Sequence, residues 1–462
     1  MIESFSMRLS LLIIILRLAT PTSGASLGEQ WSGGETTVFQ EGQNAYSLPL
    51  ANISRMDQRD HVVGNSFFNK NWIVAPGSPE ARDGLGPLFN ASSCSACHLR
   101  DGRGRPPKGN EPPISLLFRI SIPGSRQSSV SYPEPMLGTQ IATRAIPGIE
   151  PEGIVRIVYS EIEGVFEDGS IYHLRNPHYR LIPTLDYSVS AKNLMLSPRL
   201  APPVFGLGLL EAIPEATLNE LADPHDKNHD GISGRVNRVW HSGLKLFAIG
   251  RFGWKANQPN LRQQIAAAFA NDLGITSTIH PLEPHSPIQA SRFATLPNGG
   301  APELSDRILQ RVLRYQQTLA PPARRRWNTT KVRHGKQLFQ LAQCHLCHIP
   351  ELRTGEHPNI PALSNQTIRP FTDLLLHDMG SDLADGRPDF DASGNEWRTP
   401  PLWGIGLSEA VNGNSDYLHD GRARTLSEAI LWHGGEAERS KEIFRRLTAT
   451  ERSALIDFLE SL

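Results

Sequence analysis

All four cysteines of the 462-residue chain lie in two Cys-x-x-Cys-His motifs, at residues 94–98 and 344–348. Four cysteines could form two disulfides, and two Cys-x-x-Cys pairs could bind zinc through four thiolates. Neither interpretation accounts for the histidine that ends both motifs, and the two pairs are much farther apart than the separation of about 15–20 residues typical of zinc ribbons. The motifs therefore predict two covalently attached haem c groups, because Cys-x-x-Cys-His is the attachment signature of c-type haem.

Each residue of such a motif has a distinct role. The two cysteines form thioethers with the haem vinyl groups, and the histidine takes one axial position on the iron. We therefore predict two attachment sites, Cys94 and Cys97 with proximal His98 for haem one, and Cys344 and Cys347 with proximal His348 for haem two.

The composition argues against some functional classes. The formal net charge at pH 7 is −1, and hydrophobic residues make up 39% of the chain, as in ordinary globular proteins. A surface that binds nucleic acid or an anionic membrane needs clustered basic charge. We therefore expect no nucleic-acid partner.

The first 25 residues resemble a secretory signal peptide. Arg8 precedes an apolar run at residues 9–16, and the small residues at 23–25 resemble a cleavage site that ends at Ala25. A membrane anchor is the alternative, but the run is shorter than the roughly 20 residues that span a bilayer. We expect export to the periplasm and removal of residues 1–25, which agrees with attachment of c-type haem outside the cytoplasm.

Helical patterns surround the second motif. An amphipathic pattern leads into it, and the chain ends in another helix that begins with the capping-box pair Thr448 and Glu451. Packing of these two helices near Gly335 is what a cytochrome c fold requires. The pattern predicts a C-terminal cytochrome c domain over residues 326–462.

The first half of the chain is longer. Between about 114 and 190 the residues alternate with period two, and Asp168-Gly169 is a hairpin turn signal. An internal repeat, residues 202–213 against 400–411, is identical at seven of twelve positions. We therefore predict a mainly α fold with two cytochrome c-like haem domains, the first over residues 26–325 and expanded by a β-rich insertion at about 114–190.

Several segments together resemble one known family. "LFNASSCSACHLRDGRG", "GLGLLEAI", "DGISGR", "GRFGWKA" and "AILWHGGEA" resemble the di-haem oxidoreductase, putative peroxidase family, which is related to bacterial di-haem cytochrome c peroxidases and MauG-type enzymes. The resemblance covers nearly all of the mature chain. It implies a peroxidase that takes electrons from a small soluble donor, a cytochrome c or a cupredoxin, and passes them to hydrogen peroxide or another oxidant.

The resemblance also implies a sixth ligand for haem two. In the related peroxidases a "T-L-x-E-A" helix after "Y-x-H-D-G" supplies that ligand, and here the corresponding text is "YLHDGRARTLSEAILWHGG". The ligand position is His433, seven residues after Leu426. The rival candidate is Met379. We predict coordination of haem two by His348 and His433.

Haem one is expected to be open on its distal side. Aligning Leu261 with Leu426 places Ala268 where the second half has His433, and alanine cannot ligate iron. A competing alignment would make His241 a sixth ligand and close this haem. Under the preferred alignment the distal glutamate of the relatives falls on Gly274, a departure from their pattern. The residues expected to carry the chemistry are Gln264, Asp272, Trp254 and Lys255.

A polar loop is a candidate calcium site. Asp226, Asn228 and Asp230 alternate before Gly231, as oxygen ligands do in calcium loops. The twelfth position is Asn237, not glutamate, so the loop is no EF-hand. A simple Asp/Asn/Gly-rich turn is the alternative.

Three functions are compatible with two haems. An open haem one predicts peroxide reduction there, with electrons relayed by haem two. Two six-coordinate haems would instead indicate an electron-transfer protein. The third alternative is a MauG-like oxidase or oxygenase of an organic or protein substrate, with the β-rich insertion as a docking surface.

Overall fold

A computed structural model describes residues 28–78, 80–109, 111–124, 131–184 and 193–462. The predicted signal peptide at residues 1–25 lies outside the described residues. Among the helices of the described ranges, none is long and apolar enough to cross a membrane.

The helices follow one another in chain order through both halves of the molecule. They are α1 (Arg55–Asn69), α2 (Cys94–Cys97), α3 (Leu207–Glu211), α4 (Glu215–Leu221), α5 (Leu261–Leu273), α6 (Pro287–Phe293), α7 (Asp306–Gln317), α8 (Thr330–Leu341), α9 (Ser408–Asn412), α10 (Leu426–Leu431), α11 (Glu438–Arg446) and α12 (Ala449–Ser461). The longer ones begin at a polar side chain that accepts a hydrogen bond from a backbone N–H of the first turn, as Asn260 does for α5 and Thr329 for α8. The capping box predicted at Thr448 and Glu451 is confirmed at the start of α12.

The strands are mostly short. They are β1 (Leu88–Phe89), β2 (Leu116–Pro123), β3 (Ser131–Tyr132), β4 (Arg144–Ala145), β5 (Gly153–Val165), β6 (Ile171–Pro183), β7 (Met195–Leu200), β8 (Arg238–His241), β9 (Leu246–Ile249), β10 (Leu352–Arg353), β11 (Thr367–Ile368), β12 (Leu376–Asp378) and β13 (Glu396–Arg398). All pair antiparallel, and the largest described sheet has the order β3-β2-β7.

The prediction of a mainly α fold is wrong. Helices account for 31% of the residues and strands for 19%, in many small antiparallel sheets. Strands of two to four residues such as β1, β8 and β12 are too short to show an alternating pattern in the sequence. They form because the long Gly- and Pro-containing loops must pair their buried backbone N–H and C=O groups.

The longest strand pair is the hairpin of β5 and β6, which pairs residue by residue from Gly153 with Pro183 to Val165 with Ile171. The predicted turn at Asp168-Gly169 is confirmed, because Gly169 has φ +81°, a left-handed conformation that glycine adopts without steric cost. The hairpin lies against the C-terminal half, where Arg175 forms an ion pair with Asp416 at 2.5 Å.

Two large apolar clusters form the core. The first contains buried residues of α1, α3, α5 and α7, and the second contains those of α8, α10, α11 and α12. Trp254, from the first half of the chain, packs in the second cluster. The two halves therefore share a packed boundary, and the cavity described below lies along it.

Gly335 sets how closely α8 and α12 approach. A Cβ atom at this position would lie 1.9 Å from the carbonyl oxygen of Ala454. We expect Gly335→Ala to lower the free energy of unfolding by about 1–3 kcal/mol, because overpacking against backbone outweighs the roughly 1 kcal/mol of helix propensity gained. Denaturant unfolding measures the change. The exposed Gln337→Ala on the same helix is the control, and equal stability of the two variants would contradict this close contact.

Candidate functional site

A continuous cavity of about 420 Å³ is lined from both halves of the chain. Residues from both Cys-x-x-Cys-His motifs border it, namely Cys97 and His98 from the first and Cys344, Cys347 and His348 from the second. The described residues include all four cysteines, and none of these is in a disulfide. The tertiary structure thus brings together two motifs that are far apart in the sequence.

The first motif forms the single helical turn α2, which leads directly into His98. The backbone N–H of His98 donates to the carbonyl of Cys94 at 2.9 Å. The imidazole Nδ1 lies 2.7 Å from the carbonyl of Pro202. Burial lowers the pKa of His98 to about 4, so the ring is neutral at physiological pH. A neutral ring beside a carbonyl must donate from Nδ1, which leaves the lone pair of Nε2 available for a metal.

The second motif repeats this arrangement in a tight turn. The N–H of His348 donates to the carbonyl of Cys344 at 2.9 Å, and Nδ1 of His348 lies 3.0 Å from the carbonyl of Phe371. Burial lowers the pKa of His348 to about 4. The Nε2 atom of His348 therefore also has a lone pair available for a metal.

Both motifs fit a haem of the c type. Each provides two thiols one turn apart and an adjacent neutral imidazole whose Nδ1 is held by a backbone carbonyl. This is the second-sphere contact that orients a metal-ligating histidine. Burial raises the pKa of the Cys94 and Cys344 thiols to about 12.

The structure places both candidate sixth ligands of haem two in the cavity wall. His433 follows α10, and its Nδ1 lies 2.7 Å from the carbonyl of Ala429. Burial lowers the pKa of His433, and His433 in turn contributes to lowering that of His348. Met379 borders the same cavity. The choice of His433 over Met379 stays a prediction.

Helix α5 presents three predicted positions to the cavity at intervals of one turn. Gln264, Ala268 and Asp272 all line it. The C-terminal end of α5 lies beside the first motif, because the N–H groups of Asn90 and Ala91 donate to the carbonyl of Asp272. Burial raises the pKa of Asp272 to about 6. The helix therefore presents an amide, a methyl group and a titratable carboxyl in order along the wall.

Trp254 and Lys255, adjacent in sequence, are placed differently. Trp254 lines the cavity and donates from Nε1 to the carbonyl of Leu200 at 2.7 Å. Lys255 is fully buried outside the lining, where its Nζ contacts Asp385 at 2.9 Å and the carbonyls of Arg387 and Ser393. Burial lowers the pKa of Lys255 to about 8. These three contacts connect the ammonium group to the 385–393 loop, and a catalytic role for Lys255 stays a prediction.

His241 and the polar loop also lie apart from the cavity lining. His241 ends β8, and its Nε2 lies 3.0 Å from Nδ2 of Asn260. The oxygens of Asp226 and Asn228 accept from the N–H of Asp230, and Asp230 accepts from that of Ile232. These bonds stabilise a turn, and calcium binding there stays a prediction.

The sequence did not single out a buried histidine beside the second motif. His377 borders the cavity between two carboxylates, with Nε2 2.8 Å from Asp373 and Nδ1 2.7 Å from Glu436. Burial by itself would lower its pKa, yet these carboxylates hold the pKa of His377 well above its ordinary value. Cys347 is the third residue in contact with this imidazole, with its Sγ 3.7 Å from Nδ1 of His377. The sequence signal that could have indicated this histidine is the segment "LLLHDMG", in which His377 directly follows three leucines.

Aromatic rings also line the cavity between the halves. His419 stacks on Trp397, with ring centroids 3.8 Å apart, and meets Trp254 edge-on at 6.5 Å. All three border the cavity. The motif "YLHDG" contains His419, but its ring partners come from two other segments.

Two Cys-x-x-Cys-His motifs with oriented, neutral histidines on one shared cavity define a protein of the di-haem type. The family model described as "Di-haem oxidoreductase, putative peroxidase" matches residues 28–111 and 157–462. The chain belongs to this family, and the resemblance stated from its sequence is confirmed. Haem is thus its cofactor. Comparison with curated proteins and with solved structures found no match.

Proposed function

We propose that the protein is a periplasmic di-haem c-type peroxidase that reduces hydrogen peroxide at its N-terminal haem, with electrons relayed by its C-terminal haem. The observation that carries this proposal is the cavity-facing side of α5, where Ala268 stands between Gln264 and Asp272. Alanine has no donor atom for iron, and its neighbours one turn away on either side are polar.

The residues that would hold the two haems are the motif cysteines, with His98 and His348 as proximal ligands and His433 as the sixth ligand of haem two. When bound, the haems supply redox-active iron for electron transfer and for peroxide cleavage. The hydrogen bonds of His98 to Pro202 and of His348 to Phe371 keep Nε2 of each ring directed away from the backbone.

Asp272 is the proposed acid–base group. A carboxyl with a pKa of about 6 is largely ionised at neutral pH and can accept a proton from peroxide, then return it to the leaving oxygen. Gln264, two turns earlier on α5, has an amide that can donate a hydrogen bond to the bound oxidant. The methyl group of Ala268 leaves space between them.

The electron route is proposed from the shared cavity. Trp254, Trp397 and His419 form an aromatic group at the boundary of the two halves. We expect a small soluble donor, a cytochrome c or a cupredoxin, to supply the electrons. The resemblance of residues 1–25 to a secretory signal peptide supports the periplasmic location.

The first test is the number of attached haems. We expect the protein from a host competent for c-type maturation to carry two covalent haem adducts by intact mass, and Cys97→Ala together with Cys94→Ala to leave one. The paired change Ser92→Ala and Ser95→Ala, at and next to the same motif, should keep two. A wild-type mass with fewer than two adducts would contradict covalent attachment at both motifs.

Low-temperature EPR of the resting ferric protein tests the proposed activity. We expect one high-spin and one low-spin signal, with the high-spin signal lost on addition of cyanide. Two low-spin signals would support the electron-transfer alternative. Steady-state turnover with peroxide and reduced cytochrome c then separates a peroxidase from a MauG-like oxidase. A MauG-like oxidase would also have an open haem, but it would not rapidly oxidise reduced cytochrome c with peroxide.

A further inference from the structure

Part of the cavity wall comes from outside the family match. Residues 112–156 lie between the two matched ranges. They include β2, β3 and β4 and the beginning of β5, and they contribute Leu117, Arg119 and Gln140 to the cavity lining. This segment therefore reaches the site that the family architecture builds around α5.

Gln140 connects this segment to Asp272. Its amide nitrogen lies 2.8 Å from Oδ1 of Asp272, 2.9 Å from the carbonyl of Asn271 and 3.0 Å from Oδ1 of Asn90. An amide nitrogen has two protons, so these three acceptors share them. Among the described residues, Gln140 is the one side chain that donates a hydrogen bond to the carboxyl of Asp272.

The surroundings of Gln140 fix its position. The side chain is buried, and its Oε1 lies 3.4 Å from Nη1 of Arg119 on β2. Asn90, which shares the Gln140 amide, also donates from Nδ2 to the carbonyl of Ile141 at 2.8 Å. The loop before the first motif, the end of α5 and the segment 112–156 thus meet in one polar cluster.

We propose that Gln140 is a positioning residue, through which the segment 112–156 holds the carboxyl of Asp272 toward the cavity beside haem one. This inference rests on the proposed function, which gives Asp272 its acid–base role. An amide suits the task because it donates to the carboxylate and carries no charge that would compete for the proton.

The charged groups that face Asp272 are few. Arg119 from β2 lowers its pKa, and Arg199, Arg387 and Asp389 in turn act on Arg119. The thiols of Cys94 and Cys97 on α2 are also close, and they become uncharged thioethers on haem attachment. The bond from Gln140 favours the ionised carboxyl, so its loss should raise the pKa of Asp272.

Fluoride binding to the ferric, full-length di-haem protein measures this effect without turnover. A plot of fluoride affinity against pH should change slope, which we call the break, near the pKa of Asp272. The reason is that a protonated distal acid donates a hydrogen bond to the bound anion. Spectra would be recorded from pH 4.5 to about 8.5 for five proteins, the wild type, Gln140→Leu, Gln140→Glu, Asp272→Asn and Ser121→Ala. Ser121 is the matched control on β2, buried and without a hydrogen-bond partner for its Oγ in the described structure.

The break in the affinity profile should move upward by about one pH unit in Gln140→Leu, the size expected for one hydrogen bond to a charged group. Gln140→Glu keeps the side-chain shape and should move it at least as far, because a second carboxyl disfavours ionisation of the first. Ser121→Ala should keep the wild-type break, and Asp272→Asn should lack it.

Three results would overturn the inference, and they differ in what else they refute. An unchanged break in Gln140→Leu and Gln140→Glu, with both haems attached, refutes the positioning role alone. A break that persists in Asp272→Asn refutes the assignment to this carboxyl. Absence of fluoride binding by the wild type refutes the open haem one of the proposed function as well.

Discussion

Replacement of Asp272 by asparagine is expected to slow peroxide reduction by about 10²–10⁴-fold, the usual contribution of a general acid–base group. Asparagine keeps the size of the side chain but cannot accept the proton of the peroxide. The carboxyl lines the cavity on the same face of α5 as Ala268, and burial holds its pKa at about 6. The resting EPR spectrum should not change, because in the proposed site neither Ala268 nor Asp272 ligates the iron of haem one.

The pH profile provides a second readout of the same group. Because the base is the carboxylate form, the wild-type rate should fall as the pH drops through about 6, where Asp272 becomes protonated. The slow Asp272→Asn variant should lose that inflection. Asp306→Asn, an exposed substitution of the same kind at the start of α7, is the control. A rate and inflection like those of the wild type in Asp272→Asn would assign the proton transfer to another group.

Replacement of His433 by alanine is expected to convert nearly all of the low-spin EPR signal of haem two into a high-spin signal. His433 lines the cavity on the side of His348, and its Nδ1 contact with the carbonyl of Ala429 leaves Nε2 free to bind iron. Loss of an axial ligand also changes the reduction potential, since axial ligand identity is one of the main determinants of that potential. Electron delivery to haem one, and thus steady-state turnover, should fall with it.

Two further variants make the ligand test specific. Met379→Leu removes the rival thioether from the same cavity and should leave the low-spin signal intact. His345→Ala removes the histidine between the two cysteines of the second motif, for which we predict no ligand role, and it should also keep the signal. An unaltered spectrum in His433→Ala together with a changed one in Met379→Leu would transfer the sixth-ligand role to methionine.

The fold was only partly predictable from the sequence. Three predictions are confirmed: the turn at Asp168-Gly169, the capping box at Thr448 and the close approach of α8 and α12 at Gly335. These features depend on residues near one another in the chain or on a strong apolar period. The mainly α class was wrong because ladders of two to four residues, such as β12 with β13, leave no periodic signal.

What the sequence by itself determined is the chemistry of each motif. Two cysteines and a histidine within five residues predict a haem attachment site without knowledge of the fold, because the two thiols and the imidazole belong to one local turn. The family followed from the same contiguous segments, whereas the alignment of Leu261 in α5 with Leu426 in α10 stays a prediction.

Only the tertiary structure decided which side chains share the cavity. Gln140 meets Asp272 across 132 positions, and His377 meets Glu436 across 59. Trp254 faces the cavity while Lys255, its neighbour, is held by Asp385. Such contacts leave no local pattern, because they arise when separate segments pack together and each buried polar group must find a partner that the chain brings from elsewhere.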